Sequence, residues 1–264
     1  MEPQIVAFTG AGGRLGRRVI PLLEKSWPIT GLDLHPGRIG NTEIHAVDLL
    51  NEAETMNALK GVHAVVHSAI APYPEEAVSG PDHPVRREYH HQMLEVNIKG
   101  TYHVFEAARR LGIPRVVYIS SMTVVTGADS PDFDNKELVH PRNLYACTKL
   151  FGEQLAQVYQ RTYGIRTISL RLGQPYPIGM KDEEKWIKTP KSRAMLVNIE
   201  DVAQAIDGAL RTDEKGAGVY HIVSRDREGF PLPCSTRSAP SHSPSPPDNA
   251  GALSRLPTMS ERNS

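Results

Sequence analysis

Tyr145 and Lys149 lie in the stretch Asn143-Leu144-Tyr145-Ala146-Cys147-Thr148-Lys149, four positions apart in a segment whose pattern predicts a helix from about Asn143 to Tyr163. That spacing sets a phenol and an ammonium one turn apart on one helix face. The pair can transfer a proton: the cation stabilises the phenolate, so Tyr145 is expected to ionise nearer neutrality than a free tyrosine. A Tyr-x-x-x-Lys pair is common on exposed helices, where it only adds a weak surface contact. Its meaning depends on what the rest of the chain brings to it.

The elements ahead of it are those of a dinucleotide site. A short apolar run, Gln4 to Thr9, ends in Gly10-Ala11-Gly12-Gly13-Arg14-Leu15-Gly16, and apolar residues at helical spacing follow from Arg14 to about Lys25. Glycines at positions 10, 13 and 16 permit a tight turn, the approach of a pyrophosphate to a helix N-terminus, and close packing of helix on strand. A second strand, Pro28 to Leu32, ends at Asp33, where a carboxylate can accept hydrogen bonds from an adenosine ribose. This favours NAD over NADP, although Arg38 is near enough to be weighed as a 2′-phosphate partner. Further strands at about Glu43 to Val47 and His63 to His67 alternate with a helix from about Asn51 to Lys60. Such alternation predicts an α/β fold with a doubly wound parallel sheet. Asp48, Ser68 and Ala69 fall at the C-terminal strand ends, where ligands bind in such sheets. A fifth strand, Arg115 to Ile119, delivers Ser120-Ser121-Met122-Thr123 to the same edge.

Composition narrows the function classes. Lys+Arg and Asp+Glu are equal at 30 each, which disfavours a nucleic-acid binder. The two cysteines, Cys147 and Cys234, give no disulfide framework and point to a reducing compartment. With neither a leader nor a run of membrane-spanning length, the expectation is a cytoplasmic protein without membrane contact. His83, His90 and His91 lack companions at ligand spacing, so no metal site is expected. The proline-rich stretch from about Ile70 to Arg87 reads as a long surface loop. A helix from about Glu88 to Leu111 would carry Leu94, Ile98, Tyr102 and Phe105 on one face, with Asn97 as a polar residue needing a partner. A sixth strand, Arg166 to Leu170, an amphipathic helix, Ile199 to Leu210, and a seventh strand, Gly218 to Val223, complete the pattern. Residues 228–264 have the composition of a disordered tail.

With these pieces in order, the chain resembles the extended short-chain dehydrogenase/reductase superfamily, the NAD-dependent epimerase/dehydratase group, from Thr9 to about Ser224. The matching motifs are Thr9 to Gly16, Asp33, Asp48-Leu49, Asn97, Ser120-Ser121, Tyr145-x-x-x-Lys149, Arg171-Leu172-Gly173 and Asp201-Val202-Ala203. The resemblance implies a Rossmann-type domain over residues 1–227 with a small C-terminal substrate lobe at about 174–198. It implies NAD held by Gly10, Gly13, Arg14, Leu15, Gly16, Asp33, Asp48, Leu49, Ser68, Ala69 and Asn97, with Tyr145 and Lys149. Tyr145 would be the general acid/base, Lys149 would lower its pKa and hold the nicotinamide ribose, and Ser121 would orient the substrate oxygen. Met122 occupies the family's usual register for that hydroxyl relative to Gly127, so Ser120 and Thr123 stand as alternatives to Ser121. Met122 and Thr123 replace the acidic pair of family 4,6-dehydratases, which argues against sugar dehydration. The segment from Tyr176 to Asn198 is basic, and Arg193 could fork onto a substrate carboxylate. The short lobe and motif set are similar to uronate dehydrogenases, which implies oxidation of a small sugar acid. The alternatives are a nucleotide-sugar 4-epimerase and a non-catalytic NAD-sensing protein. Leu94, Ile98, Phe105, Leu150 and Val158 offer either a homodimer interface or burial within one chain.

Overall fold

The computed structural model describes residues 4–73, 83–125, 139–176, 196–213 and 216–223, and the backbone of 237–238. β1 (Val6–Thr9) leads through the glycine turn into α1 (Gly16–Leu23), and β2 (Ile29–Asp33) follows. A short hairpin, β3 (Gly37–Ile39) and β4 (Thr42–Ala46), precedes α2 (Glu52–Ala58) and β5 (Ala64–His67). α3 (Pro84–Leu94) passes through a π-helical turn at Glu95–Gly100 into α4 (Thr101–Leu111), then β6 (Arg115–Ser121). α5 (Leu144–Tyr163), β7 (Arg166–Leu172), β8 (Gln174–Tyr176), β9 (Leu196–Asn198), α6 (Ile199–Arg211), β10 (Ala217–Ile222) and β11 (Arg237–Ser238) complete the order.

The main sheet runs β11-β10-β7-β6-β5-β1-β2-β4-β3, parallel except for the edge strands β3 and β11. The chain winds outward from β1 through β2 to β4, then returns to the other side of β1 and proceeds through β5, β6 and β7. The reversal between β1 and β5 opens a crevice at their C-terminal ends, which is where a doubly wound sheet binds its ligand. Period-two alternation sends Val6, Phe8, Val66, Val117 and Ile119 to the face covered by α1 and α6. Ala7, Val65, Val116 and Tyr118 face α4 and α5. Burial on both sides explains why these strands read as continuous apolar runs.

Four features depart from the sequence reading. β3 is an extra antiparallel edge strand, too short, exposed and charged to register in hydropathy. α3 begins at Pro84 rather than near Glu88, because Pro84 occupies the first turn and His83 Nδ1 accepts a hydrogen bond from the Val85 amide. The stripe on α3 and α4 is misphased by one residue: Leu94 and Tyr102 are 41% and 44% exposed, while Met93, Asn97, Thr101, Val104 and Phe105 are buried. Phe105 is therefore core, not interface. Finally, Arg237–Ser238 pair with β10, so two residues of the expected tail join the sheet; the rest of 228–264 lies outside the described residues.

Candidate active site

The glycine turn is built so tightly that side chains are excluded from it. Gly10 has φ +71°, and a Cβ there would lie 2.7 Å from Ala69 Cα; a Cβ on Gly16 would lie 2.3 Å from the Ala11 carbonyl oxygen. Both distances are below any real contact, so the ends of β1 and β5 and the start of α1 depend on glycine at these positions. Gly13 donates to the Gly10 carbonyl at 3.1 Å, closing the turn. Arg14 is exposed at its tip and Leu15 half-buried behind it. Asp33, at the end of β2, accepts the Gly12 amide on Oδ2 at 2.9 Å, and no described residue bonds Oδ1. Arg38 is on the β3 edge and donates to the Asn41 carbonyl at 3.3 Å. Asp48 is exposed just past β4, its Oδ1 accepting the Leu50 amide, with Leu49 buried beneath. Ser68 and Ala69 are half-buried at the end of β5. A bare backbone turn, a helix start and a carboxylate at the neighbouring strand end fit a dinucleotide's pyrophosphate and ribose.

β6 and α5 bring the reactive groups together. Asn143 caps α5 by accepting the Ala146 amide at 2.8 Å, which fixes the first turn and so the place of Tyr145. Gly152 lets the helix settle onto the sheet, since a Cβ there would come 2.1 Å from Tyr118 Cζ. Lys149 is thereby buried, with Nζ donating to the Ile119 carbonyl at 2.8 Å and lying 5.1 Å from the Tyr118 ring centre and 5.8 Å from that of Tyr145. The Ser121 hydroxyl lies beside the Tyr145 phenol and favours its ionised form. Thr123 donates to Ser121 Oγ through its hydroxyl at 3.0 Å and its amide at 3.2 Å. Ser120 is turned the other way, donating to Glu153 Oε1 at 2.5 Å. Of the three candidate hydroxyls, then, Ser121 is the one against the phenol.

Electrostatics departs from the expected lysine effect. Burial pushes the Tyr145 phenol up to about 12, the Ser121 hydroxyl opposes this, and the nearby Tyr89 phenol adds to it. Burial also pulls Lys149 down to about 7, against the attraction of Glu153. In the chain by itself desolvation outweighs the pairing: Lys149 is buried and Tyr145 half-buried, and the ammonium gives a hydrogen bond to a backbone carbonyl.

Asn97 has the partners its polarity requires. Its Oδ1 accepts the Ala71 amide at 2.8 Å and its Nδ2 donates to Thr148 Oγ1 at 3.1 Å, so the π-helical turn ties the strand end after β5 to α5. The Glu153 carboxylate, one turn beyond Lys149, binds Arg171 through Nε at 2.8 Å and Nη2 at 2.7 Å, and Arg171 reaches His221. Glu153 went unassigned in the sequence, although it shares the Tyr145 and Lys149 face at the next i+4 position. Arg193 and the lysines of 181–191 lie outside the described residues. Among the described residues no group of three or more His, Cys, Asp or Glu side chains could hold a metal, and no helix is long and apolar enough to cross a membrane.

Comparison with known proteins agrees with this geometry. A glucose-6-phosphate dehydrogenase, NAD-dependent, from Haloferax volcanii is 28% identical over 252 residues, covering 87% of this chain and 88% of that protein. A uronate dehydrogenase from Pseudomonas syringae pv. tomato is 28% identical over 228 residues, covering 83% and 74%. A solved uronate dehydrogenase from Agrobacterium tumefaciens, a point variant complexed with NAD, superposes with TM-score 0.67 at 25% identity, covering 84% of this chain and 77% of that one. The model of the NAD dependent epimerase/dehydratase family matches residues 6–222. With a bare glycine turn, an acid at the β2 end and a serine, tyrosine and lysine converging beside the crevice, the chain belongs to the NAD dependent epimerase/dehydratase family.

Proposed function

We propose that the protein is a cytoplasmic NAD-dependent dehydrogenase that oxidises a hydroxyl of a small anionic sugar, a hexuronate. The observation that carries the reading is the Ser121 and Tyr145 contact above a buried Lys149, set beside a glycine turn that fits a dinucleotide. Gly10, Gly13, Arg14, Leu15 and Gly16 would hold the pyrophosphate, Asp33 the adenosine ribose, and Asp48, Leu49, Ser68, Ala69 and Asn97 the walls of the crevice. Bound NAD supplies the hydride acceptor and a positively charged ring. Tyr145 takes the proton of the substrate hydroxyl, Ser121 orients that oxygen, and Lys149 compensates the charge on the phenolate. A phenol held protonated by burial is suited to this only where added positive charge offsets the desolvation, which confines the base form to the loaded site.

The substrate class rests on the span between β8 and β9. These two strands pair in parallel and enclose only residues 177–195, little chain for holding a nucleoside diphosphate. The segment is basic, and Arg193 would clamp a carboxylate. The named relatives act on hexoses with an anionic group, a carboxylate in one and a phosphate in the other. A homodimer through the exposed Leu94, Tyr102 and Val158 belongs to the same reading, and sedimentation would test it. The decisive assay follows NADH formation with glucuronate, galacturonate, glucose 6-phosphate and UDP-glucose. Turnover of a uronate that Tyr145→Phe abolishes is the expected result. Interconversion of UDP-hexoses without net NADH would establish an epimerase instead, and NAD binding without turnover of any sugar a sensing protein.

A further inference from the structure

One fully buried polar chain runs beneath the crevice and belongs to none of the roles above. Thr9 at the end of β1 and His67 at the end of β5 are register partners on the α4 face of the sheet. Thr9 Oγ1 and His67 Nδ1 are 2.7 Å apart, His67 Nε2 and Thr101 Oγ1 2.9 Å, and Thr101 Oγ1 donates to the Asn97 carbonyl at 2.6 Å. Thr9 Oγ1 also accepts the Ser68 and Ala69 amides, at 3.2 and 3.4 Å.

The directions of these bonds are fixed by counting protons. Thr101 has one hydroxyl proton and the Asn97 carbonyl takes it, so His67 must donate to Thr101 from Nε2. Nδ1 is then an acceptor, and the Thr9 hydroxyl donates to it. The far end closes on two backbone amides, whose protons do not exchange places with a hydroxyl during turnover. The chain is thus a brace and not a proton relay. Burial and the Lys149 cation both keep the imidazole neutral, consistent with that single pattern.

What the brace connects is the point. At one end are Ser68 and Ala69, the wall packed against Gly10; at the other is Asn97, which holds Ala71 and, through Thr148, the helix carrying Tyr145 and Lys149. We propose that His67 is a positioning residue for hydride transfer: a neutral imidazole, protonated on Nε2, that sets the separation between the cofactor crevice and the proton-transfer groups. The proposal rests on the dehydrogenase reading for its kinetic consequence.

The test uses the full chain with Thr101→Val, which keeps the side chain's shape and removes its hydroxyl, Thr101→Ser, which restores the hydroxyl, and His67→Phe, which keeps a ring against Tyr118. Thr101→Val is expected to lower kcat by roughly ten- to a hundredfold, the scale of a misplaced reacting group, with KM for the sugar within about threefold. NAD dissociation measured by calorimetry should weaken at least about threefold, and Thr101→Ser should recover most of both losses. A fold defect alone would lower the active fraction, and with it the apparent kcat and the calorimetric stoichiometry, while the NAD dissociation constant of the remaining sites stayed at the wild-type value. Nitrogen NMR of the His67 ring should show the neutral Nε2–H form throughout the neutral range. Wild-type kcat in Thr101→Val, equal impairment by Val and Ser, or a His67 that carries its proton on Nδ1 or titrates near neutrality overturns the proposal. If His67→Phe does not fold, the Thr101 pair decides. Should no sugar be turned over, the dehydrogenase reading fails by itself, while NAD affinity and the ring tautomer still judge the brace.

Discussion

Replacing Glu153 by Gln tests whether Lys149 is supported from below by a charge cluster. The wild-type carboxylate accepts three hydrogen bonds, two from Arg171 and one from Ser120, while 1% exposed. Glutamine has the same shape, but it removes the charge and turns an NH2 toward a guanidinium, leaving Arg171 buried without its counter-ion. Breaking one partner of such a pair costs about 3–5 kcal/mol, a large share of the ~5–15 kcal/mol that holds a typical domain folded. At about 2–4 °C per kcal/mol for a domain of this size, the melting temperature should fall by roughly 6–20 °C, with a matching shift of the urea midpoint. Removing both charges with Glu153→Met and Arg171→Met together should recover much of the loss, since the penalty belongs to the orphaned charge. Glu153 is also the anion that opposes the desolvation of Lys149, so in Glu153→Gln the ammonium should titrate still further below its usual range. The reasoning is refuted if Glu153→Gln costs less than about 1 kcal/mol, or if the double variant is as unstable as the single one.

Four further outcomes follow from the same geometry. Gly152→Ala should destabilise by about 1–3 kcal/mol in thermal melts, because its methyl would overlap the Tyr118 ring. Asp33→Ala should narrow the preference for NAD over NADP, measured as the ratio of the two dissociation constants, since a carboxylate there would repel a 2′-phosphate and accept from a ribose. Tyr145→Phe should leave NAD affinity within about threefold while lowering kcat at least about a thousandfold, read in the uronate assay. Acid should unfold the protein through His67, which burial holds down to about 3. The unfolded chain then binds the extra proton as pH falls from about 6.5 to about 3, so stability is lost over that window at about 1.4 kcal/mol per unit, and urea midpoints against pH would show it.

The sheet and its crevice were readable because their signals are local and redundant. β1, β5 and β6 are buried on both faces and show up as apolar runs, and each ends on residues that the topology then gathers at one edge. The glycine turn was readable for a different reason: only glycine fits where Ala69 and Ala11 press on it, so the residue type reports the geometry directly. By contrast β3 and β11 owe their places to edge pairing, which leaves no hydrophobic pattern to read.

The misphased stripe on α3 and α4 shows where pattern reading gives way, and why it does so beside the site. Hydropathy selects Leu94, Ile98 and Tyr102, yet the buried line is Met93, Asn97 and Thr101. Two of those three are polar because they pair with each other, with Ala71, with Thr148 and with His67, and a satisfied polar group can occupy the interior as readily as an apolar one. A helix that passes under a functional crevice therefore reads one position out of phase, its true inner face hidden by the groups that do its work. The same confusion affected Tyr145, whose partnership with Lys149 is plain in the spacing while the burial that raises its pKa is not. Sequence spacing identifies which groups can meet; the sign of their ionisation is set by what covers them, and only the packing of the neighbouring elements supplies that.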